Sequence, residues 1–437
     1  MKSIFSRNIL VAAVLCGLNT SVHAAGFALA NQAGSGTGNA FAGSSVMAED
    51  ASITWFNPAA MTELESGTHI STSVHVVMPE AKFTNAGSRL PATLGGGAIT
   101  GKNDDGGHAG IVPGAYAVRS LNDKVSVGLS VNAPFGLGTK YDDDWVGRYH
   151  STESNIKTIN VNPSIAYKVN DQLSIGAGAS VQELDVELKR AVHSVAACLA
   201  GGGGAACAGL PDGKVDIVGK DVSVGFNAGL LYKPSKKTKV GVSYRSGIKH
   251  DLEGNVKFAM PALLAANPSF SNGDITAAAN LPASMSVSVG HKVSDKVEVM
   301  GDITRTKWSS FDRIKIDRTT GTNLTNDYQG WEDSTRYSIG ASYQYNDRLK
   351  LRGGIARDGT PIPNAQLRSP RTPDNDRTWV ALGANYKIKK NLDMDVAYTH
   401  ISTKTTPIEN LNSSNYLLQG NYDSKVDVVG VQLNWAF

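Results

Sequence analysis

Serine, histidine, cysteine and the carboxylates are the side chains that do covalent or metal chemistry, and in this 437-residue chain they form no catalytic pattern. G-x-S-x-G, which would raise a serine nucleophile on a sharp turn, is missing, as are a Walker loop, H-E-x-x-H and CxxC. The histidines are scattered, and His69 and His75 lie too far apart along an extended chain to pinch one ion. Tyr141-Asp142-Asp143-Asp144-Trp145 is the densest acidic run, read as a solvated loop or a place for divalent cations near lipopolysaccharide. No cofactor, no metal and no enzymatic activity are expected. A formal net charge of +3 gives no nucleic-acid signal either. Cys198 and Cys207 flank a Gly/Ala-rich stretch, and in an oxidising compartment they would close a small surface loop, the alternative being two free thiols.

The compartment follows from the first residues. Lys2 and Arg7 precede an apolar run, Ile9 to Leu18, and Val22-His23-Ala24 offers small residues for cleavage, so residues 1–24 are expected to be a secretory signal. Cys16 follows Leu15 rather than a small residue, which argues against lipidation. No later run approaches the ~18 to 20 apolar residues of a membrane-spanning helix. That test is blind to transmembrane barrels, whose strands alternate lipid-facing and lumen-facing residues.

From Gly67 onward the period is two. Val429, Val431, Leu433, Trp435 and Phe437 alternate with Gly430, Gln432, Asn434 and Ala436, and Val125-Val127-Leu129-Val131 alternates with Ser126-Gly128-Ser130-Asn132. Ile159, Val161, Ile165 and Tyr167 do the same, with Pro163 in the apolar register. Six turn-like connections, among them Asn122-Asp123-Lys124, Asn170-Asp171-Gln172 and Asn346-Asp347-Arg348, suit hairpins. Between them lie seven long polar stretches, near residues 80–109, 138–153, 191–220, 250–282, 309–333, 358–376 and 402–423. This asymmetry predicts an all-β fold: a 14-stranded antiparallel transmembrane β-barrel over residues 67–437, with short periplasmic turns and long extracellular loops. A closed barrel also pairs every backbone group in lipid. A secreted β-sandwich array is the other fold with such alternation.

Residues 25–66 have no such period and are too apolar for a disordered tail. Gly34-Ser35-Gly36-Thr37-Gly38 permits tight turns, and Asn57-Pro58-Ala59 breaks the chain just after Trp55-Phe56. Apolar surface on the periplasmic side of a barrel has one place to be buried, the lumen, so this segment is expected to be an N-terminal plug.

At this point the chain resembles the FadL/TodX family of outer-membrane transporters of long-chain fatty acids and other hydrophobic compounds. The resemblance is carried by Ala25-Gly26-Phe27, Gly34 to Gly43 followed by Ala48-Glu49-Asp50-Ala51, Asn57-Pro58-Ala59 and Pro134-Phe135-Gly136-Leu137. It continues through Thr306-Lys307-Trp308-Ser309, Gly354-Ile355-Ala356, Pro361-Ile362-Pro363, Asp374-Asn375-Asp376-Arg377 and the Asn434 to Phe437 end. It implies that Phe27 lies in the ligand pocket, where its other reading is packing of plug on wall. It also implies that Arg190 meets a ligand carboxylate, where the other reading is a rim arginine. The family's second basic ligand residue, a lysine, has no counterpart around Asp327, which leaves a less acidic substrate open. Pro134-Phe135-Gly136 interrupts a clean alternation and should weaken the wall. In the family this bend is a lateral opening to the bilayer, and an early strand end is the alternative.

Met260-Pro261-Ala262-Leu263-Leu264 with Phe270 is expected as a short apolar helix at the outer mouth, faced by Ala196, Leu199 and Leu210, serving ligand capture or simple loop packing. The expected function is passive import of long-chain fatty acids or similar hydrophobic molecules by a monomer among outer-membrane lipid and lipopolysaccharide, with lateral release. An aromatic-hydrocarbon channel, a surface adhesin or receptor and a lipid hydrolase are the rivals.

Overall fold

The computed structural model describes residues 26–437, so the expected signal sequence lies outside the described residues. Twenty β-segments form one sheet. Six of the spanning strands are each broken into two segments, which leaves fourteen strands around the wall. The first, Thr68–Asn85, pairs antiparallel with the last, Leu417–Ala436, from His69 opposite Ala436 to Asn85 opposite Gly420. That ladder closes the sheet and leaves no edge.

Burial is inverted relative to a soluble protein. On the fourth strand, Glu153–Lys168, Ile159 and Ile165 are each 54% exposed, while Asn160 and Asn162 between them are fully buried. Apolar residues thus face outward and polar residues face the bore, the arrangement lipid demands. Exposed tyrosines mark the short-turn end: Tyr167, Tyr232, Tyr343, Tyr345 and Tyr386 all stand within a few residues of a tight connection. They form the aromatic girdle of a membrane barrel.

At the opposite end the strands run further than the alternation suggests. The fifth strand continues to Val192 and the sixth begins at Gly213, so the stretch expected as a loop over 191–220 is largely ladder. Likewise Ile248–Ala259 and Gly273–Leu281 pair across the stretch 250–282, and Arg313–Arg318 pairs with Asn323–Tyr328 inside 309–333. Above the lipid the two faces trade places: Val215 and Ile217 are buried towards the bore while Lys214 and Lys220 stand exposed outside, so the lipid-facing apolar register ends while backbone pairing goes on.

Residues 26–61 lie inside the bore, most of them buried. Two four-residue helices, Gly34–Thr37 and Ile53–Phe56, and a 3₁₀ turn, Pro58–Glu63, are packed against the inner wall. Wall glycines make room for them. A Cβ at Gly229 would fall 1.9 Å from Asn57 Oδ1, and one at Gly383 would fall 2.7 Å from Gly38 Cα. Only glycine permits that approach of plug to wall.

Candidate ligand path

Asn57-Pro58-Ala59 fixes the plug to the wall. Proline fills the first position of the 3₁₀ turn, where no N–H is needed, and Asn57 Oδ1 accepts from Ala59 N at 3.1 Å. The Asn57 amide donates to Ser45 O at 2.8 Å and across to Leu230 O of the wall at 3.1 Å. Further up, Gly34 N donates to Gln432 Oε1 at 2.8 Å, Ser44 Oγ donates to Asp302 at 2.9 Å, and Arg352 bridges Glu49 of the plug to Asp395 of the wall.

The front of the plug rests on the broken third strand. Its two segments, Val125–Asn132 and Gly136–Lys140, pair with the fourth strand through Asn132 opposite Asn160 and Gly136 opposite Lys157. Three residues therefore stand against two, the count of a β-bulge. On its other side the third strand pairs with the second as far as Gly114 opposite Asn132 and meets that chain again only at Gly107 opposite Thr139, while Gly110 to Pro113 bond to the first strand alone. The wall is unpaired there. The plug's first residues take up some of the free backbone groups: Leu29 N donates to Pro134 O at 2.8 Å, and Gly136 N donates to Phe27 O at 2.9 Å. Thr158 Oγ1 serves Phe135, donating to its carbonyl at 2.8 Å and accepting from its N–H at 2.9 Å.

Phe27 is 2% exposed, in a box of aromatic rings. Its ring centroid lies 4.8 Å from Trp308, 5.3 Å from Phe311, 5.8 Å from Trp331 and 6.1 Å from Phe135. One residue earlier, Gly26 N donates to Asp374 Oδ2 at 3.1 Å. Outward of the box is an apolar cavity of about 70 Å³ bounded by Phe27, Leu184, Leu252 and Ile275.

Leu188, Ile217, Ile314 and Ile316 belong both to this cavity and to a polar one of about 270 Å³ above it. The polar cavity contains Arg190, Arg371, Asp327 and His150. Arg190 has no hydrogen bond or ion pair among the described residues; Asp327 is the charged group that acts on it, and Arg190 and Asp327 both act on Arg371. Arg371, from the connection 359–376, donates to Ser154 Oγ at 2.8 Å, Ser151 Oγ at 3.0 Å and His150 O at 2.8 Å. Burial and the neighbouring Arg190 guanidinium draw its pKa down to about 10. Burial likewise holds the His150 imidazole down at about 3, although Nδ1 meets Asn410 Oδ1 at 3.1 Å. Arg371 supplies a second cation from a different part of the chain than the lysine of the family pattern. No local motif marks it, because only the fold brings residue 371 beside residue 190.

At the outer mouth Cys198 and Cys207 are joined as a disulfide. Both are buried with Leu264, and Met260, Phe270, Leu210 and Ala197 pack around them. The segment expected as a helix instead makes turns over residues 262–266 and then a 3₁₀ turn, Pro268–Phe270. Pro261 and Pro268 bracket too few residues for a helix to propagate. Leu264 faces the other loop, and Leu263 is 54% exposed. Phe258 and Phe270 border a vestibule of about 720 Å³ that reaches Arg190. His75 is buried on the bore side of the first strand, and His69 meets Glu65 O at 2.8 Å.

Comparison with known proteins agrees with this geometry. A family model described as outer membrane protein transport protein (OMPP1/FadL/TodX) matches residues 15–437. A long-chain fatty acid transport protein of Salmonella typhi is 29% identical, covering 100% of this chain and 99% of its own length. Among solved structures, a FadL homologue of Pseudomonas aeruginosa superposes with a TM-score of 0.85 at 25% identity, covering 94% of this chain and all of that one. The toluene transporter TodX of Pseudomonas putida shares the fold, with a TM-score of 0.70 at 19% identity over 95% of this chain and 100% of its own. The chain is a fourteen-stranded outer-membrane barrel and belongs to the OMPP1/FadL/TodX family of outer-membrane transport proteins.

Proposed function

We propose that this protein imports long-chain fatty acids or similar amphiphiles by passive diffusion, as a monomer. Support comes from one observation above all: the order of environments along the bore. A wide vestibule leads to a cavity with two guanidiniums, then to an apolar cavity closed by Phe27, and beyond that to a cavity at the unpaired wall beside Pro134. A carboxylate head and an alkyl tail match that order. Each buried methylene contributes about 0.8 kcal/mol, and hydrogen bonds to a charged group about 1.5–3 kcal/mol. Leu263, Leu264, Met260 and Phe270 belong to the loops that receive the ligand. Displacement of Phe27 and of Ala28–Ala30 opens the path, and the ligand leaves through the wall into lipid, since entering water would forfeit the burial of its tail.

Uptake of labelled oleate by cells with and without the protein tests this reading, and equal uptake would overturn it. A hydrocarbon channel is the second reading, favoured by the ring-lined box around Phe27. Toluene uptake that exceeds oleate uptake would select it. No catalytic step is part of either reading, and a lipid ester in proteoliposomes should survive intact.

A further inference from the structure

The cavity on the far side of the aromatic box has a volume of about 160 Å³ and is bordered by Leu29, Phe135, Arg245, Arg336 and Asp358. Two guanidiniums and one carboxylate give it a net positive charge. Neither arginine has an ion pair among the described residues. Arg336 also has no hydrogen bond among them, and its Nε is buried without a partner. Its guanidinium stands 5.5 Å from the Phe41 ring centroid and 5.8 Å from that of Trp379. Asp358 sits opposite it in the ladder without closing an ion pair. Arg245 donates to Trp55 O at 2.7 Å and lies over the Trp55 ring at 3.3 Å. A guanidinium in an enclosed site that makes no contact ion pair is expensive, and ring faces and one carbonyl offset only part of that cost.

We infer that this cavity is a second carboxylate station, in which Arg336, with Arg245 beside it, receives the headgroup of an anionic amphiphile after it has passed Phe27. The inference deepens the import reading and rests on it. An ionised carboxylate is poorly accommodated in the apolar cavity above the box, so a cation on each side of that stretch lowers the barrier to crossing it. The lower cation also holds the head beside the unpaired wall at Pro134 and Phe135.

The test compares labelled oleate with labelled oleyl alcohol, which has the same tail and no charge. Arg336→Gln should reduce oleate uptake about tenfold and leave oleyl alcohol unchanged, whereas Arg336→Lys should retain most of the oleate uptake. Asp358→Asn removes the one acid and should tighten oleate binding to purified protein severalfold without affecting the alcohol. Equal losses for both ligands in Arg336→Gln would mean a packing role and would overturn the station, as would unchanged oleate uptake. If Arg336→Gln does not assemble, the binding result for Asp358→Asn decides alone. A parent protein that takes up neither ligand would sink the import reading itself, whereas normal parent uptake with a charge-blind Arg336 removes only the station.

Discussion

Deleting Pro134 should close the wall. Three residues, 133 to 135, oppose 158 and 159, so removing one equalises the two strands and brings Asn132 and Gly136 into one register. Loss of proline also restores a backbone donor. The third strand could then pair upward with Gly110 to Pro113, which now bond on one side only, giving up the present bridge from Thr139 to Gly107. An antiparallel ladder of that length adds roughly two to four hydrogen bonds. At about 0.5–1.5 kcal/mol each, the closed wall gains on the order of 3 kcal/mol, a shift of about a hundredfold against the open form. Gly136→Val is not equivalent, because a Cβ there would lie 3.0 Å from Leu29 Cδ1 and push on the plug. The assay is initial-rate uptake of labelled oleate, with heat-modifiable gel mobility to show that the barrel assembles. A large fall in uptake with assembly intact is the expected result. Parental uptake from an assembled deletion protein would refute lateral release at this strand.

Four other outcomes follow from the geometry. Arg190→Gln removes the upper unpaired cation and should weaken oleate binding to purified protein by about 1.5–3 kcal/mol, or ~10- to 150-fold, by titration. Gly229→Val places atoms where Asn57 Oδ1 now sits and should dislodge the Asn-Pro-Ala corner, so that Trp55 and Met61 become oxidised in hydroxyl-radical footprinting. His150 has a folded pKa of about 3, below the ordinary 6.5, so the unfolded cap binds more protons between those values. Stability of the outer cap is therefore full above pH 6.5 and is lost progressively as pH falls toward 3, by several kcal/mol in all. Hydrogen exchange over residues 141–152 should rise with acid, and His150→Gln should flatten the profile. Replacing Cys198 and Cys207 by serine should cost up to about 3 kcal/mol of local loop order, read as faster proteolysis of 193–212 with the barrel unchanged.

The barrel was legible because lipid imposes a two-residue period on every strand, visible in Ile159, Val161 and Ile165 without any structure. The extracellular extensions were not, since their apolar face turns from lipid to bore and their polar residues face out as a loop's would, while the ladder stays intact, as in Gly213 to Lys220. The Asn-Pro-Ala corner and the Pro134 break are local in sequence and stood out by type, whereas Phe27 was marked only by the family resemblance. Arg371, Arg336 and the rings of Phe311 and Trp331 did not, because their relevance depends on contacts between strands remote in the chain. A lone arginine or tryptophan carries no mark of which cavity it will face.

The bonds that hold the plug are unevenly distributed along it. From Gly34 to Met61 the segment is tied to paired strands by Gln432, Asp302, Arg352 and the Leu230 carbonyl. Releasing it would strand charged and amide groups away from water, a cost of several kcal/mol. Residues 27 to 29 are bonded instead to backbone groups of Pro134 and Gly136, in a strand that has already lost its neighbour on one side. Freed, those groups lie next to a gap where other donors and acceptors can replace the plug. Ligand that displaces Phe27 from its aromatic box therefore needs to detach only this front end, and detaching it uncovers the very stretch of wall that has no ladder. On the import path proposed above, opening of the pore and opening of the wall would be one event, so a plug fixed at its corner should still permit transport, and a plug fixed at Leu29 should not.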